Sequence, residues 1–317
     1  MAAGEGAAAA PGTELAADGG AAGTGGSPGT AGTVRAGVRR PGFWRRYLRS
    51  PVAVIGLFLL VLVIAAALAA PLLFPSDPLG LAGRPLQWPN ANPRFPLGTD
   101  PRGRDIAAQI FHGARVTLLI GLVATGVSVL IGICVGALAG YYGGWVDDVL
   151  MRVTEAFQTL PSFLLLLVLV AVFGSDIRTV TLAIGLVSWP ATARLCRAEF
   201  LTLREREFVQ ACRTLGMGDA RIIFREILPN ALPPVIVYSS VVMATAILLE
   251  SALAFLSLSD PNIASWGNLI GSGRTVLRVQ WYVSAIPGLA ILLTVLAVSL
   301  VGQGLNDALN PRLKAPA

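Results

Sequence analysis

Residues 194–232 read RLCRAEFLTLREREFVQACRTLGMGDARIIFREILPNAL, a stretch whose charge density is far above that of the rest of the chain. Such a segment needs water or a polar partner around it. Residues 202–215 have the period of an amphipathic helix, with one apolar stripe made of Phe208, Ala211, Cys212 and Leu215. Gly216 is predicted to end that helix, because glycine readily adopts the left-handed conformation found at helix ends.

A second short helix is predicted over residues 220–227, with Asp219 as its cap and Pro229 as its stop. Two amphipathic helices would then meet at a glycine corner within the loop 198–231. A corner of this kind could fit a cleft on another protein and move with it. It could equally lie on a membrane surface with no partner, and the pattern alone favours neither interpretation.

The sequence on both sides of this loop is apolar. Of the 317 residues, 54% are hydrophobic and only 13% are charged, whereas a soluble domain has about 25% charged residues. About 20 consecutive apolar residues cross the hydrocarbon of a bilayer as a helix. We therefore predict an all-α polytopic membrane protein with six transmembrane helices in a domain covering 51–313, at about 51–75, 114–140, 148–174, 178–197, 232–258 and 282–305.

The basic residues predict how the chain is oriented. Sixteen of the 24 Arg and Lys residues lie in segments that share a side with the N-terminus, and eight lie on the other side. Because cytoplasmic loops of membrane proteins carry the excess of Lys and Arg, both termini and the loop 198–231 are predicted to be cytoplasmic. The segment 75–113, rich in Pro, Gly and Asn, is then extracytoplasmic.

The N-terminal part divides into two predicted segments. Residues 1–34 are almost wholly Ala, Gly, Thr, Ser and Pro, so they should form a disordered cytoplasmic tail. Residues 35–50 mix six arginines with aromatic side chains directly before an apolar run, a pattern typical of a membrane-interface anchor.

Several function classes are disfavoured. The single lysine, Lys314, has no glycine-rich approach, so the chain lacks a P-loop and would not hydrolyse ATP by that route. The three cysteines form no C-x-x-C pair and His112 is the only histidine, so we predict no metal site and no catalytic residues. The basic residues form no long run, so nucleic acid is not an expected partner.

One acidic residue lies inside a predicted span. Glu250 is flanked by apolar residues and Ser251. Because a charge in hydrocarbon is costly, it should face the bundle interior or a water-filled route. Glu250 and Ser251 are therefore candidate residues of a translocation pathway, and the alternative is a structural hydrogen bond to a neighbouring helix or subunit.

The sequence resembles a known family at several places. EFVQACRTLG at 207–216, followed by ILPN at 227–230, resembles the cytoplasmic EAA signature of bacterial ABC-importer permeases, with Cys212 where that family usually has a second Ala. Further segments are similar to the dipeptide/oligopeptide (peptide/nickel) branch, and to its C-type subunit in length and N-terminal arrangement: PLGTDPRGRD at 96–105, GAR at 113–115, GYYGGWVD at 140–147, SWP at 188–190, SWGN at 265–268 and DALNPR at 307–312. Together they cover about residues 43–313.

The resemblance implies a type I ABC-importer permease fold and a non-catalytic transmembrane subunit. It implies a homologous second permease subunit, two ATPase subunits that use ATP and Mg, and an extracytoplasmic solute-binding protein. The loop would couple to the ATPase subunits through Glu207, Ala211, Cys212, Gly216, Asp219 and Pro229. The cargo would be dipeptides or oligopeptides crossing the bacterial cytoplasmic membrane. Nickel chelates, glutathione or another small solute are alternatives, and a stand-alone secondary transporter or an intramembrane enzyme is a more distant one.

Overall fold

The computed structural model describes residues 46–309. In that range the chain is helical, and the one β-type pairing is an isolated bridge between Thr99 and Asp105. The predicted tail, 1–34, and residues 35–45 of the predicted interface segment lie outside the described residues. In chain order the helices are α1 Pro51–Leu73, α2 Ile106–Tyr142, α3 Gly144–Thr159, α4 Ser162–Phe173, α5 Ile177–Arg204, α6 Glu207–Thr214, α7 Asp219–Phe255, α8 Trp266–Gly273 and α9 Tyr282–Leu309.

Five of these helices, α1, α2, α5, α7 and α9, are long and apolar enough to cross a membrane. The consecutive helices α3 and α4 meet the same criterion only as a pair, and they are bent by 84°. The bend follows from Pro161, because the residue before a proline avoids helical geometry and Leu160 is accordingly extended. The predicted all-α fold is confirmed, with six spans when the bent pair counts as one.

The longest contact in the bundle joins α2 to α5. Three glycines of α2 lie directly against the backbone and side chains of α5, at Gly132, Gly136 and Gly140. A Cβ at Gly132 would be 2.6 Å from the Cβ of Thr192, and one at Gly136 would collide with the carbonyl oxygen of Ala193. Small residues in the apolar segments therefore let these two backbones approach closely.

The first helix lies at the edge of the bundle. α1 packs on α9 through small residues, because Gly56 lies against Leu300 and Ala53 lies against Gly304. The remaining surface of α1 leaves large apolar side chains exposed, including Leu62, Leu68 and Leu72. Contiguous apolar surface of this extent is unfavourable in water, so the helices are membrane-embedded.

The segment between α1 and α2 contains no helix, as its Pro and Gly content predicts. It is fixed to the bundle instead by hydrogen bonds. The hydroxyl of Tyr282 donates to the carbonyl oxygen of Gln87 at 2.7 Å. The hydroxyl of Thr99 donates to the carbonyl oxygen of Arg84 at 2.6 Å. Asp105 caps α2 by accepting from the amide of Ala107 at 2.9 Å, and burial raises the pKa of its carboxyl group.

Candidate functional site

The charged loop folds into an angular structure, which we call the elbow: α6, the turn at 215–218 and the first two turns of α7, residues 207–227. The predicted helix over 202–215 is wrong at its start, because α5 ends at Arg204 and α6 begins at Glu207. Arg206 between them is extended. The break is held by Arg204, whose Nη1 donates to the carbonyl oxygens of Gly140 and Tyr141 at 3.1 and 3.3 Å.

The glycine corner is confirmed. Gly216 has φ +73°, a left-handed conformation that suits glycine. Its amide donates to the carbonyl oxygen of Arg213 at 2.9 Å, and the amide of Met217 donates to that of Cys212 at 3.1 Å. This pair of bonds is the Schellman motif, which satisfies the free carbonyl groups at a helix C-terminus. The turn therefore has a defined geometry.

Asp219 does not cap the helix that follows, contrary to the prediction. The capping position is Gly218, and Asp219 is the first helical residue. Its Oδ1 instead accepts a 2.6 Å hydrogen bond from the hydroxyl of Tyr141, at the end of α2. The guanidinium of Arg213 lies 5.5 Å from the centre of the same tyrosine ring. Both arms of the elbow are thus attached to Tyr141, a residue that the sequence reasoning did not single out.

Pro229 does not stop the helix either. α7 continues from Asp219 to Phe255, because residues 222–227 form a π-helix whose bonds span five residues. The amide of Leu228 donates to the carbonyl oxygen of Ile223 in this pattern. The wider turn accommodates a proline that has no N–H, and Asn230 Nδ2 donates to the carbonyl oxygen of Glu226 at 2.6 Å.

The elbow has one buried and one open side. Val209 and Ile222 are fully buried against Phe200 of α5 in one hydrophobic cluster, which Cys212 joins from its edge. The rest of the stripe predicted to be apolar is exposed: Leu215 is 81% exposed and Phe208 is 40% exposed, and Phe224 on the other arm is 66% exposed. Glu207, Ala211, Gly216, Asp219 and Pro229 are also exposed. The open side therefore presents apolar side chains among charges.

The second predicted site lies near the opposite end of the bundle. Glu250 is fully buried, and its Oε1 accepts from the hydroxyl of Ser265 at 2.8 Å. Ser265 caps α8 by accepting from the amide of Asn268 at 3.1 Å. Ser251 donates to the carbonyl oxygen of Ile247 within its own helix. Glu250 therefore ties α7 to α8 within this chain, and the pathway role of both residues stays a prediction.

An open cavity of about 430 Å³ lies where the bent pair meets α5 and α7. Its wall is largely apolar with a few polar groups, contributed by Gln158, Ser162, Ser188, Tyr238 and Thr245. The bend at Pro161 lies in the wall of this recess, which Phe157, Leu160 and Pro161 line from the bent pair. Nothing in the hydropathy pattern marks these residues, since they come from three separate parts of the chain, 157–162, 187–191 and 238–249.

Metal-ligating groups do not cluster in residues 46–309: no three His, Cys, Asp or Glu side chains lie close enough there to hold an ion. Charged side chains in this range include two ion pairs, Arg197 with Asp147, at 2.5 Å, and Arg204 with Glu205, at 3.0 Å. The first joins α5 to α3 near the elbow. The second joins neighbouring residues at the end of α5, so only the first holds two helices against one another.

Comparison with known proteins identifies the family. Residues 132–315 match the profile of the binding-protein-dependent transport system inner membrane component. Residues 42–93 match the N-terminal transmembrane domain of oligopeptide transport permease C. The fold is similar to that of the MetNI methionine ABC transporter in an inward-facing conformation, with a TM-score of 0.50, 17% identity, and coverage of 62% of this chain and 94% of that one.

Curated relatives match over most of the chain. The di/tripeptide transport system permease protein of Pseudomonas aeruginosa is 39% identical, over 87% of this chain and 93% of its own. The glutathione transport system permease protein of Pectobacterium atrosepticum is 37% identical over 86% and 91%, and the dipeptide transport system permease protein of Alkalihalophilus pseudofirmus is 36% identical over 86% and 90%. The chain therefore belongs to the binding-protein-dependent permeases of ABC transporters, in the branch of the oligopeptide permease C proteins.

Proposed function

We propose that this chain is the permease subunit of an ATP-driven importer of dipeptides or oligopeptides in a bacterial cytoplasmic membrane. The proposal is supported by several relatives that carry peptide-transport names, at up to 39% identity over nearly their full length. The glutathione-named relative is similarly close, so glutathione is the alternative cargo to test. Relatives with peptide names outnumber it among the most similar sequences, which favours peptides.

The observation that carries the coupling role is the open side of the elbow. Phe208, Leu215 and Phe224 are exposed at a site where charged residues also reach solvent. Isolated apolar residues are common on protein surfaces, but three on one rigid corner fit a cleft on a partner. We assign that cleft to an ATPase subunit, which would use ATP and Mg, while this chain binds neither and catalyses no reaction.

The remaining parts of the proposed complex follow from orientation and shape. The basic residues favour a cytoplasmic elbow and cytoplasmic termini, so the segment 75–113 would face a solute-binding protein outside. The cavity beside Pro161 is open to the surface, and a homologous second permease subunit would close it into a route. Neither a metal nor a nucleic acid has a part in this scheme.

Force on the elbow would reach the bundle through identified contacts. The hydroxyl of Tyr141 donates to Asp219 on one arm, and the guanidinium of Arg213 on the other arm lies over the tyrosine ring. Tyr141 belongs to α2, the helix that runs to the far end of the bundle. ATP binding can shift the bundle between two states only by the difference in affinity of the ATPases for each. A rigid elbow turns that difference into helix displacement.

The test is uptake by a complete complex reconstituted in proteoliposomes. Labelled trialanine and labelled glutathione should be offered with the cognate solute-binding protein, with ATP or a non-hydrolysable analogue inside. We expect ATP-dependent uptake of trialanine, and loss of uptake with retained assembly when Leu215 and Phe224 are both changed to Asp. Uptake of glutathione without uptake of trialanine would make glutathione the cargo in place of peptides. Uptake by this chain without its partner subunits would refute the proposal.

A further inference from the structure

A second cavity, of about 550 Å³, lies at the end of the bundle opposite the elbow. We call it the arginine pocket. It is enclosed by the start of α2 with the loop before it, by the residues that follow α7, and by α8. Its volume lies in the range of small-molecule binding sites. The charged and amide side chains that line it are Asp100, Arg102, Arg104, Gln109, Asn268 and Arg274.

The pocket is positively charged, with three guanidinium groups and one carboxylate. The carboxylate of Asp100 is engaged by its own loop: Oδ1 accepts from the amides of Arg102 and Arg104, both at 2.8 Å. The Nε of Arg104, by contrast, is buried and has no hydrogen-bond partner in the structure. A buried donor without an acceptor is unfavourable, so the Arg104 guanidinium would gain from turning toward an acceptor that a ligand brings into the pocket.

Arg274 and the rim of the pocket are held in place before any ligand arrives. Arg274 donates from Nη1 to the carbonyl oxygen of Phe255 at 3.1 Å and lies over that residue's ring. Asn268 Nδ2 donates to the carbonyl oxygens of Asp260 and Ile263 at 2.6 and 2.8 Å, which holds the rim. The hydrogen bond from Ser265 to Glu250 holds the start of α8, which forms part of the pocket wall. Such preorganisation lowers the entropic cost of binding.

We propose that the arginine pocket binds a carboxylate group of the transported peptide, foremost its C-terminal carboxylate, before the peptide enters the bundle. A guanidinium matches a carboxylate through two parallel hydrogen bonds, and the pocket is lined by the three arginines Arg102, Arg104 and Arg274. The hydroxyl groups of Ser257, Ser259 and Thr275 also line the pocket and suit the polar groups of a peptide backbone. This inference rests on the proposed function, because it takes the cargo to be a peptide.

The test uses the complex of both permease and both ATPase subunits in nanodiscs, without the solute-binding protein. Binding of trialanine and of trialanine amide is measured by isothermal titration to wild type, Arg104→Gln, Arg274→Gln and the control Arg278→Gln. Arg278 is four residues from Arg274 and outside the pocket lining. We expect trialanine to bind about tenfold more weakly to each pocket variant, as for loss of a charge-assisted hydrogen bond, and normally to the control.

Trialanine amide should bind weakly and equally to all four proteins. Equal binding of trialanine and its amide, no binding of trialanine, or unchanged binding to both pocket variants would overturn the proposal. Arg104→Lys, which keeps the charge, should fall between wild type and Arg104→Gln, and melting temperatures near wild type would exclude misfolding as the cause of a loss.

The competing source of a carboxylate is an acidic side chain of the solute-binding protein. The two sources are distinguished by measuring the affinity of the empty solute-binding protein for each nanodisc sample. If the pocket variants bind that protein more weakly and bind trialanine normally, the proposal is overturned. Peptide uptake by wild type separates this inference from the proposed function. Uptake with normal kinetics in both variants refutes the pocket alone, whereas a wild type that moves no peptide refutes both.

Discussion

Replacing Tyr141 with Phe is the sharpest test of how the elbow is attached to the bundle. The substitution removes one hydroxyl group, which donates to Asp219 Oδ1 at 2.6 Å. It keeps the buried ring and therefore the contact with the Arg213 guanidinium. The change is confined to one hydrogen bond between α2 and the second arm of the elbow.

The magnitude follows from the kind of bond and its exposure. A hydrogen bond to a charged group contributes about 1.5–3 kcal/mol when it is well shielded. Asp219 is exposed, so water replaces part of the lost interaction and we expect about 1 kcal/mol. A difference of about 1 kcal/mol is roughly a fivefold change in an equilibrium constant. The elbow should therefore open about five times more often than in wild type.

Hydrogen exchange in the assembled complex measures that opening directly, because local openings set the exchange rates of amide groups. Amides of residues 215–222 should exchange about fivefold faster in Tyr141→Phe, and uptake per ATP hydrolysed should fall. The matched control is Tyr142→Phe, since Tyr142 is adjacent and half exposed. Unchanged exchange in Tyr141→Phe, or an equal rise in both variants, would refute the attachment.

Three further predictions address the glycine corner at Gly216, the glycine seam between α2 and α5 at Gly132, Gly136 and Gly140, and the buried acid Glu250. Gly216→Pro should leave the protein inserted but uncouple ATP hydrolysis from uptake, because proline cannot adopt the φ of +73° and has no amide to donate. The control Gly218→Ala, at a position with φ −68°, should transport normally. Gly136→Leu should abolish folded complex on size-exclusion chromatography, and Gly126→Leu should not, because a Cβ there meets no neighbour. Glu250→Ala should lower the melting temperature of the complex by several degrees, since it leaves the buried O–H donor of Ser265 without its acceptor, and Glu250→Gln should restore most of it. An unaltered melting temperature in the alanine variant would contradict that tie.

The fold was largely predictable because hydrocarbon imposes simple requirements. A long run without charges has to form a helix, so the described spans follow from composition and spacing. The interruption at Pro161 was missed because hydropathy counts apolar residues and ignores backbone direction. The residues around the break are as apolar as a span requires, and only the extended Leu160 reveals that the helix axis turns.

The elbow was predictable in its local chemistry and not in its long-range contacts. Gly216 identifies the corner because one residue type suits its backbone conformation. The role of Asp219 depends on Tyr141, which is 78 residues away in the sequence. Pro229 was taken as a stop because proline removes an N–H, and a single sequence does not indicate that a π-helix supplies the space for it.

The acidic residue Glu250 shows the same limit from the other direction. Its cost in an apolar span predicts burial or pairing, and it is buried. Which partner it takes depends on how α8 folds back on α7, and that arrangement is set by packing among distant segments. The carboxylate then lies beside Gly267, where any side chain would collide with it.

The glycine seam between α2 and α5 also has a mechanical consequence. Backbones in such close contact cannot slide or splay independently, so the two helices behave as one beam. At 1.5 Å per residue, the 37 residues of α2 make that beam about 55 Å long. In the proposed transporter, a tilt imposed beside Tyr141 would then be carried along α2 toward the arginine pocket, which α2 helps to line, so that nucleotide binding at one end of the bundle would alter cargo binding at the other.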